Sequence, residues 1–230
     1  MNHKEPYSEK YLQDILRSVK TIAMGEGGII TTDNRNLFKK LCHLRNHGMD
    51  RNSENFKAPE QAFAANGKPN PWYYEMDSLG FNYRASDIHC ALGLSQLEKL
   101  DDFVQKQNRL VRTYAERLAP LSQVVKPVMQ TSGGFPAWHV ATVLIDFDAV
   151  KTDRATVMNK LRERGIGSQV LYMPLTRQPY YRNRYGELHL PNAEAYYARA
   201  LCLPLFPGMT DDDVDRVVET LKSILGLRDA

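Results

Sequence analysis

One short β-branched run, Gly28-Ile29-Ile30-Thr31-Thr32, is the strand-like segment on which the first hundred residues of this 230-residue chain must build a layer. Three glycines, Gly25, Gly27 and Gly28, lead into it, as expected of a strand entered through a tight loop. A strand of this apolar kind is stable only when other strands flank it and helices cover both of its faces. The rest of the first hundred residues supplies helices and a long loop instead. Asp33 and Asn34 can cap a helix carrying Leu37, Phe38, Leu41 and Leu44 at helical spacing until Gly48 stops it. Residues 49–79 are polar, contain prolines and lack a period, which marks a functional or contact-making loop. Part of a sheet is therefore missing from this region.

The remainder is more regular. An apolar stripe from Ser86 to Leu118 reads as two helices meeting near Asp101 and Asp102, where a domain boundary is placed. The two parts are then 1–101 and 102–230. After the boundary come a strand from Trp138 to Phe147, a helix between Thr152 and Gly165, and a strand from Gln169 to Tyr172. A helix at Ala193 to Ala200 follows, then the run Leu201 to Phe206, and a last helix capped by Thr210 and Asp213 that ends near Leu225. This alternation describes a small α/β or α+β domain.

Composition excludes several function classes. Thirty basic and 27 acidic side chains leave a net charge of +3 and are interleaved, so no polybasic arm points to nucleic acid. No run of about 18 apolar residues suits a membrane span, and the first twenty residues are too polar for a secretory signal; a cytoplasmic protein is the expectation. Cys42, Cys90 and Cys202 form no CxxC pair and read as buried small hydrophobes. His43 and His47 share a helix face but have no third metal ligand, so no metal is expected and both read as surface histidines at a helix end. Asp211-Asp212-Asp213 at a helix start is explained by the helix dipole. Taken alone, Lys20 ahead of the glycines is either a solvated lysine or a functional amine. The segment lacks the GxxxxGK[ST] order of a P-loop.

Several strings together carry a resemblance. They are Val-Lys-Thr-Ile-x-x-Gly-Glu-Gly-Gly at 19–28, Leu-Arg-Asn-His-Gly at 44–48, Leu-Gly-Phe-Asn-Tyr-Arg at 79–84 and Ala-Leu-Gly-Leu-Ser-Gln-Leu at 91–97. In the second half they are Tyr-Met-Pro at 172–174, Gln-Pro-Tyr-Tyr at 178–181 and Leu-Pro-Leu-Phe-Pro-Gly-Met-Thr at 203–210. The chain resembles the pyridoxal-phosphate-dependent sugar aminotransferases of the DegT/DnrJ/EryC1/StrS family from residue 19 to about 226. The string Pro-Trp-Tyr-Tyr-Glu at 71–75 is similar to that of the transaminases of pseudaminic acid synthesis, which aminate a UDP-linked 4-keto-6-deoxy-N-acetylhexosamine.

The resemblance implies an α/β fold class: the C-terminal part of a fold-type I PLP-dependent transferase, with a partial large domain and a small α/β domain. It implies pyridoxal 5'-phosphate as cofactor and Lys20 as the amine that holds it and moves a proton. It implies Asn82 as a donor to the cofactor phosphate, in the family from the neighbouring subunit, and Gln169, Val170, Leu171 and Tyr172 as a substrate-contacting strand. Related enzymes often carry histidine where Leu171 stands. The implied partners are a nucleotide-sugar substrate, an amino donor such as glutamate, and a second copy in a homodimer or a complementary N-terminal half. A perosamine-type aminotransferase and an inactive fragment keeping only a dimerisation surface are the alternatives.

The family's phosphate-binding serine, five residues before the lysine, is replaced here by Ile15. The acidic partner of the pyridinium nitrogen, the ring-stacking aromatic and most of the large-domain sheet would lie upstream of the nineteen residues preceding Lys20. Impaired activity of the chain by itself is the resulting expectation.

Overall fold

The computed structural model describes residues 21–131 and 133–227, so Ile15, Val19 and Lys20 lie outside the described residues. The chain divides between Leu97 and Glu98 into two compact units.

In the first unit, Asn34 caps α1 (Arg35–Leu44), its side chain accepting from the amides of Asn36 and Leu37 at 3.0 Å. The periodic Leu37, Phe38, Leu41 and Leu44 form one stripe, yet no residue of α1 is buried. The 49–79 segment, expected as a long functional or contact-making loop, contains β1 (Met49–Asp50), the single turn α2 (Pro59–Ala62) and β2 (Glu75–Met76). β1 and β2 pair antiparallel, Met49 opposite Met76, and close the segment into a loop whose ends meet. The unit ends with α3 (Asp87–Leu97).

The expected strand at 28–32 is the main correction here. The segment belongs to no ladder among the described residues, and Ile29 and Ile30 are 43% and 70% exposed. A strand exists only through its partners; β-branched composition prepared the backbone for one without supplying the neighbour.

The second unit begins with α4 (Leu100–Leu118), so the break expected near Asp101 falls at Glu98 and Lys99. Then come β3 (Val125–Pro127), β4 (Ala141–Ile145), α5 (Arg154–Glu163), α6 (Pro179–Tyr185), α7 (Pro191–Arg199), β5 (Ala200–Leu203) and α8 (Asp211–Leu225). The strands form an antiparallel sheet in the order β3-β4-β5, with Val125 opposite Ile145 and Val143 opposite Leu201. β3 gave no sequence signal of its own. All four residues of β5 and four of the five in β4 are buried, as in strands covered on both faces.

Leu110, Tyr114 and Leu118 of α4, Val157 and Leu161 of α5, and Val214, Val218 and Leu221 of α8 build the core against this sheet. The Tyr114 hydroxyl donates to the Pro204 carbonyl at 2.9 Å, and burial pushes its ionisation well above the ordinary tyrosine value. At the start of α8, Thr210 and Asp213 form the expected reciprocal capping box.

Two further readings change. The expected strand Gln169–Tyr172 is reduced to one bridge, Gln169 with Cys202. Of the cysteines, Cys202 is buried and Cys42 half-buried, but Cys90 is exposed.

Candidate functional site

Two of the strings singled out above lock together in the first unit. The end of α1 runs antiparallel to residues 81–83: the Phe81 amide donates to the Leu44 carbonyl at 2.8 Å, the His47 amide to Phe81 at 3.0 Å, and the Tyr83 amide to Arg45 at 2.9 Å. Asn46 and Asn82 form the bridge at the centre, and the Arg84 guanidinium reaches the Asn46 side chain. This approach is possible only with glycine at two positions. A β-carbon on Gly48 would fall 1.9 Å from the Ser78 carbonyl oxygen, and one on Gly80 would fall 2.3 Å from the Gly48 nitrogen. The Phe81 and Tyr83 rings, on one side of the strand, stack at 5.1 Å. Asn82 points the other way. It is exposed, and its side-chain amide has no partner among the described residues.

A charged cluster ties the 49–79 loop to this clamp. His43 Nε2 lies 2.5 Å from Asp77 Oδ1 and 2.9 Å from Ser78 Oγ, while Lys57 Nζ donates to Asp77 Oδ2 at 2.9 Å. The hydrogen bond from Lys57, with a smaller contribution from His43, holds the Asp77 carboxyl below its usual range; the same pair raises Lys57. Glu75 accepts the Lys57 amide on both oxygens at 2.9 and 2.8 Å, the Ala58 amide at 2.8 Å and the Tyr73 hydroxyl at 3.0 Å. These bonds, the Lys57 amide first, lower its pKa. His43 is thus a structural partner rather than a surface histidine, and His47 sits at a positive φ of 61° inside the clamp. Sequence reading missed this cluster because its three parts, His43, Lys57–Ala58 and Tyr73–Ser78, are at least 14 residues apart; only the unusual loop length pointed to it.

Ahead of α3, the loop that follows Lys20 is held from the far side. Ile22 and Met24 are buried, Met24 lies against Gly93, and a β-carbon on Gly25 would meet the His89 ring at 3.0 Å.

In the second unit, Gln169 exchanges two backbone hydrogen bonds with Cys202, at 3.1 and 2.8 Å. Val170 and Leu171 are half-buried, and Tyr172 is exposed. Immediately after them an open pocket of about 700 Å³ is lined by Met173, Thr176, Arg177, Arg182, His189 and Glu194. Glu194 holds Arg177 at 2.9 Å and His189 at 3.2 Å, and the Arg177 bond dominates the lowering of its pKa. The pocket was not foreseen, since its charged residues are spread over several short elements and the loops between them with no common period. Asn82 therefore belongs to the first unit and Gln169–Tyr172 to the second, each placed within its own unit.

Residues 17–222 match the DegT/DnrJ/EryC1/StrS aminotransferase family. Spore coat polysaccharide biosynthesis protein SpsC of Bacillus subtilis is 35% identical over 211 residues, covering 90% of this chain and 52% of that protein. The structure of Helicobacter pylori PseC, an aminotransferase involved in the biosynthesis of pseudaminic acid, superposes with a TM-score of 0.76 at 24% identity, over 90% of this chain and 51% of that one. DesI, solved in the presence of its TDP-sugar product, superposes with a TM-score of 0.71 at 25% identity, over 90% and 47%. The chain spans about half the length of the relatives it matches. No helix among the described residues is long and apolar enough to cross a membrane.

Proposed function

Since the chain belongs to the DegT/DnrJ/EryC1/StrS aminotransferase family, we propose that it acts as the lysine-bearing half of a PLP-dependent sugar aminotransferase. The enzyme moves an amino group from glutamate to a UDP-linked 4-keto-6-deoxy-N-acetylhexosamine in cytoplasmic glycan biosynthesis. The observation that carries this reading is the clamp: the family strings at 44–48 and 79–84 meet through Gly48 and Gly80, and the clamp presents Asn82 as an exposed residue at its centre. Such an amide donates to a phosphate oxygen with little desolvation cost. The named roles of SpsC, PseC and DesI in polysaccharide and nucleotide-sugar chemistry support the substrate class.

The described residues fit one contact of the cofactor and not its whole site: Asn82 suits the phosphate, while Lys20 lies outside them. When bound, PLP supplies an electron sink that stabilises charge at the substrate carbon. The chain's own proposed contributions are a primary amine at Lys20 to hold the cofactor and carry a proton, the Asn82 amide to orient its phosphate, and Gln169 to Tyr172 to position the sugar. In a homodimer, Asn82 serves the site of the other copy. Activity is expected where the other half of the family fold is present and is low for this chain by itself.

The test is amine transfer from glutamate to UDP-linked 4-keto hexosamine, followed by mass spectrometry, using the chain joined behind a family N-terminal half. The expected product gains one amino group and disappears with Lys20→Ala. No transfer in a folded, PLP-loaded fusion would overturn the substrate class, and no PLP uptake would overturn the family role.

A further inference from the structure

We infer that the open pocket following Tyr172 is a binding site for a phosphate-class oxyanion. The inference needs no cofactor and does not rest on the aminotransferase reading. The pocket, of about 700 Å³, lies wholly within the second unit. Two guanidiniums line it, Arg177 from the short turn Leu175–Arg177 and Arg182 from α6, together with Thr176, Glu187 and Glu194. Arg177 is held in place by the chain itself. Its guanidinium lies over the Tyr197 ring, 5.5 Å from the centroid, and its Nη2 donates to Glu194 Oε2 at 2.9 Å. Glu194 and Tyr197 are one turn apart on α7, so one helix face grips a side and an edge of the guanidinium. Among the described residues no other hydrogen bond uses this guanidinium, which leaves most of its donors for a ligand. A planar fork fixed in this way loses little freedom on taking a second oxyanion.

The balance of donors and acceptors decides the ligand class. Two arginines and two glutamates cancel in formal charge, but the carboxylates are not equally committed. The Glu194 side chain is 24% exposed and spends one oxygen on Arg177 and the other on His189. Its pKa is lowered, chiefly by Arg177, so it stays an acceptor already in use, and a ligand ammonium or a sugar hydroxyl would have to compete for it. Glu187 is 82% exposed, so its bond to Arg182 is a weak surface pair that an anion of higher charge displaces. What remains uncommitted is donors: the rest of the Arg177 fork, Arg182 once released, and the Thr176 hydroxyl, whose oxygen is buried with no partner among the described residues. A lone polar atom in a pocket wall calls for a partner that the chain does not supply. A phosphoryl group, with three acceptor oxygens and up to two charges, matches this donor set better than a carboxylate with two oxygens and one charge.

The test titrates the full 230-residue chain with inorganic pyrophosphate by calorimetry at low salt. The expected result is one site with a Kd of about 1 mM or tighter, weakening as salt screens the charges. Arg177→Gln and Arg182→Ala should each weaken binding by about tenfold, and Thr176→Val by about threefold. Glu187→Gln should strengthen it by about threefold, because a competing charge is gone. Arg184→Ala, on the same helix but outside the pocket lining, should change it by less than about twofold. Among the described residues Arg182 pairs only with exposed Glu187, so Arg182→Ala keeps the parent's fold, checked by the near-ultraviolet spectrum of the core. UDP bound at the same Arg182-dependent site more than about tenfold tighter than pyrophosphate sustains the inference and assigns the anion to a nucleotide; equal affinity sustains it and assigns a free phosphate. No binding at about 10 mM pyrophosphate, or binding indifferent to both arginine substitutions, overturns the site. Succinate bound as tightly as pyrophosphate, or N-acetylglucosamine bound in its place, overturns the ligand class. An inactive aminotransferase fusion would leave this pocket standing, and a pocket that binds no anion would leave the amine-transfer test untouched.

Discussion

The two units of this chain solve the burial problem differently. The second closes a three-stranded sheet with α4, α5 and α8, and the continuous core cluster lies wholly within it, from Leu110 to Leu225. Among its described residues, the first unit buries only Ile22, Met24 and Ala62 as apolar side chains. It leaves Phe38, Trp72, Phe81, Tyr83 and Ile88 exposed. Its order comes from backbone clamps, a helix cap and a carboxylate network rather than from a core.

The largest effect that would sharpen this contrast is Leu221→Ala. Leu221 is fully buried, and its truncation should cost the second unit about 3 kcal/mol or more, while Phe38→Ala in the first unit should change stability by no more than about 0.5 kcal/mol. With Trp72 replaced by phenylalanine, Trp138, packed at the core's edge, becomes the only tryptophan reporting the urea transition. Equal effects of the two truncations would break the comparison. Gly80→Ala comes next: its β-carbon meets fixed backbone, so the clamp should lose about 2 kcal/mol, seen as faster amide exchange at Phe81 and Tyr83 with the Trp138 transition unmoved. Tyr114→Phe is smaller. Losing the bond to Pro204 should lower the second unit's stability by about 1 kcal/mol.

The smallest effect is one of pH and belongs to the first unit. Asp77 and Glu75 have depressed pKa values, so what they contribute is present above the ordinary carboxylate range and is lost as pH falls through their lowered values. Lys57 is raised, so its share persists below the ordinary lysine range and is lost only in strong alkali. Amide exchange at Lys57 and Ala58, corrected for the intrinsic pH dependence, should therefore lose protection in acid and hold steady through neutrality. Protection unchanged in acid would show that the carboxylates do not hold the loop.

Legibility in the sequence follows a different divide, between elements fixed locally and elements fixed by a distant partner. Where a local cap or an apolar run fixes an element, it was readable: the Thr210 and Asp213 cap starts α8, Asn34 starts α1, and the Trp138 to Phe147 run contains β4. Where an element depends on a distant partner, the pattern misled. Ile29 and Ile30 read as strand without a ladder, Gln169 to Tyr172 became one bridge to Cys202, and β3 became visible only through its pairing with β4. The clamp around Asn82 was readable as two strings. Their meeting was not, because it is fixed by the space that Gly48 and Gly80 leave for backbone.

The central claim, that this chain carries Lys20 for one site and Asn82 for the neighbouring one, is tested most directly by subunit mixing. Joined behind a family N-terminal half, the Lys20→Ala and Asn82→Ala forms should each be weakly active. Freely exchanging, equal amounts of the two make about half of the dimers mixed, with one intact site in each, so activity should recover to roughly a quarter of the unsubstituted protein's. No recovery despite demonstrated exchange would contradict the account and place Asn82 in its own chain's site or outside any site.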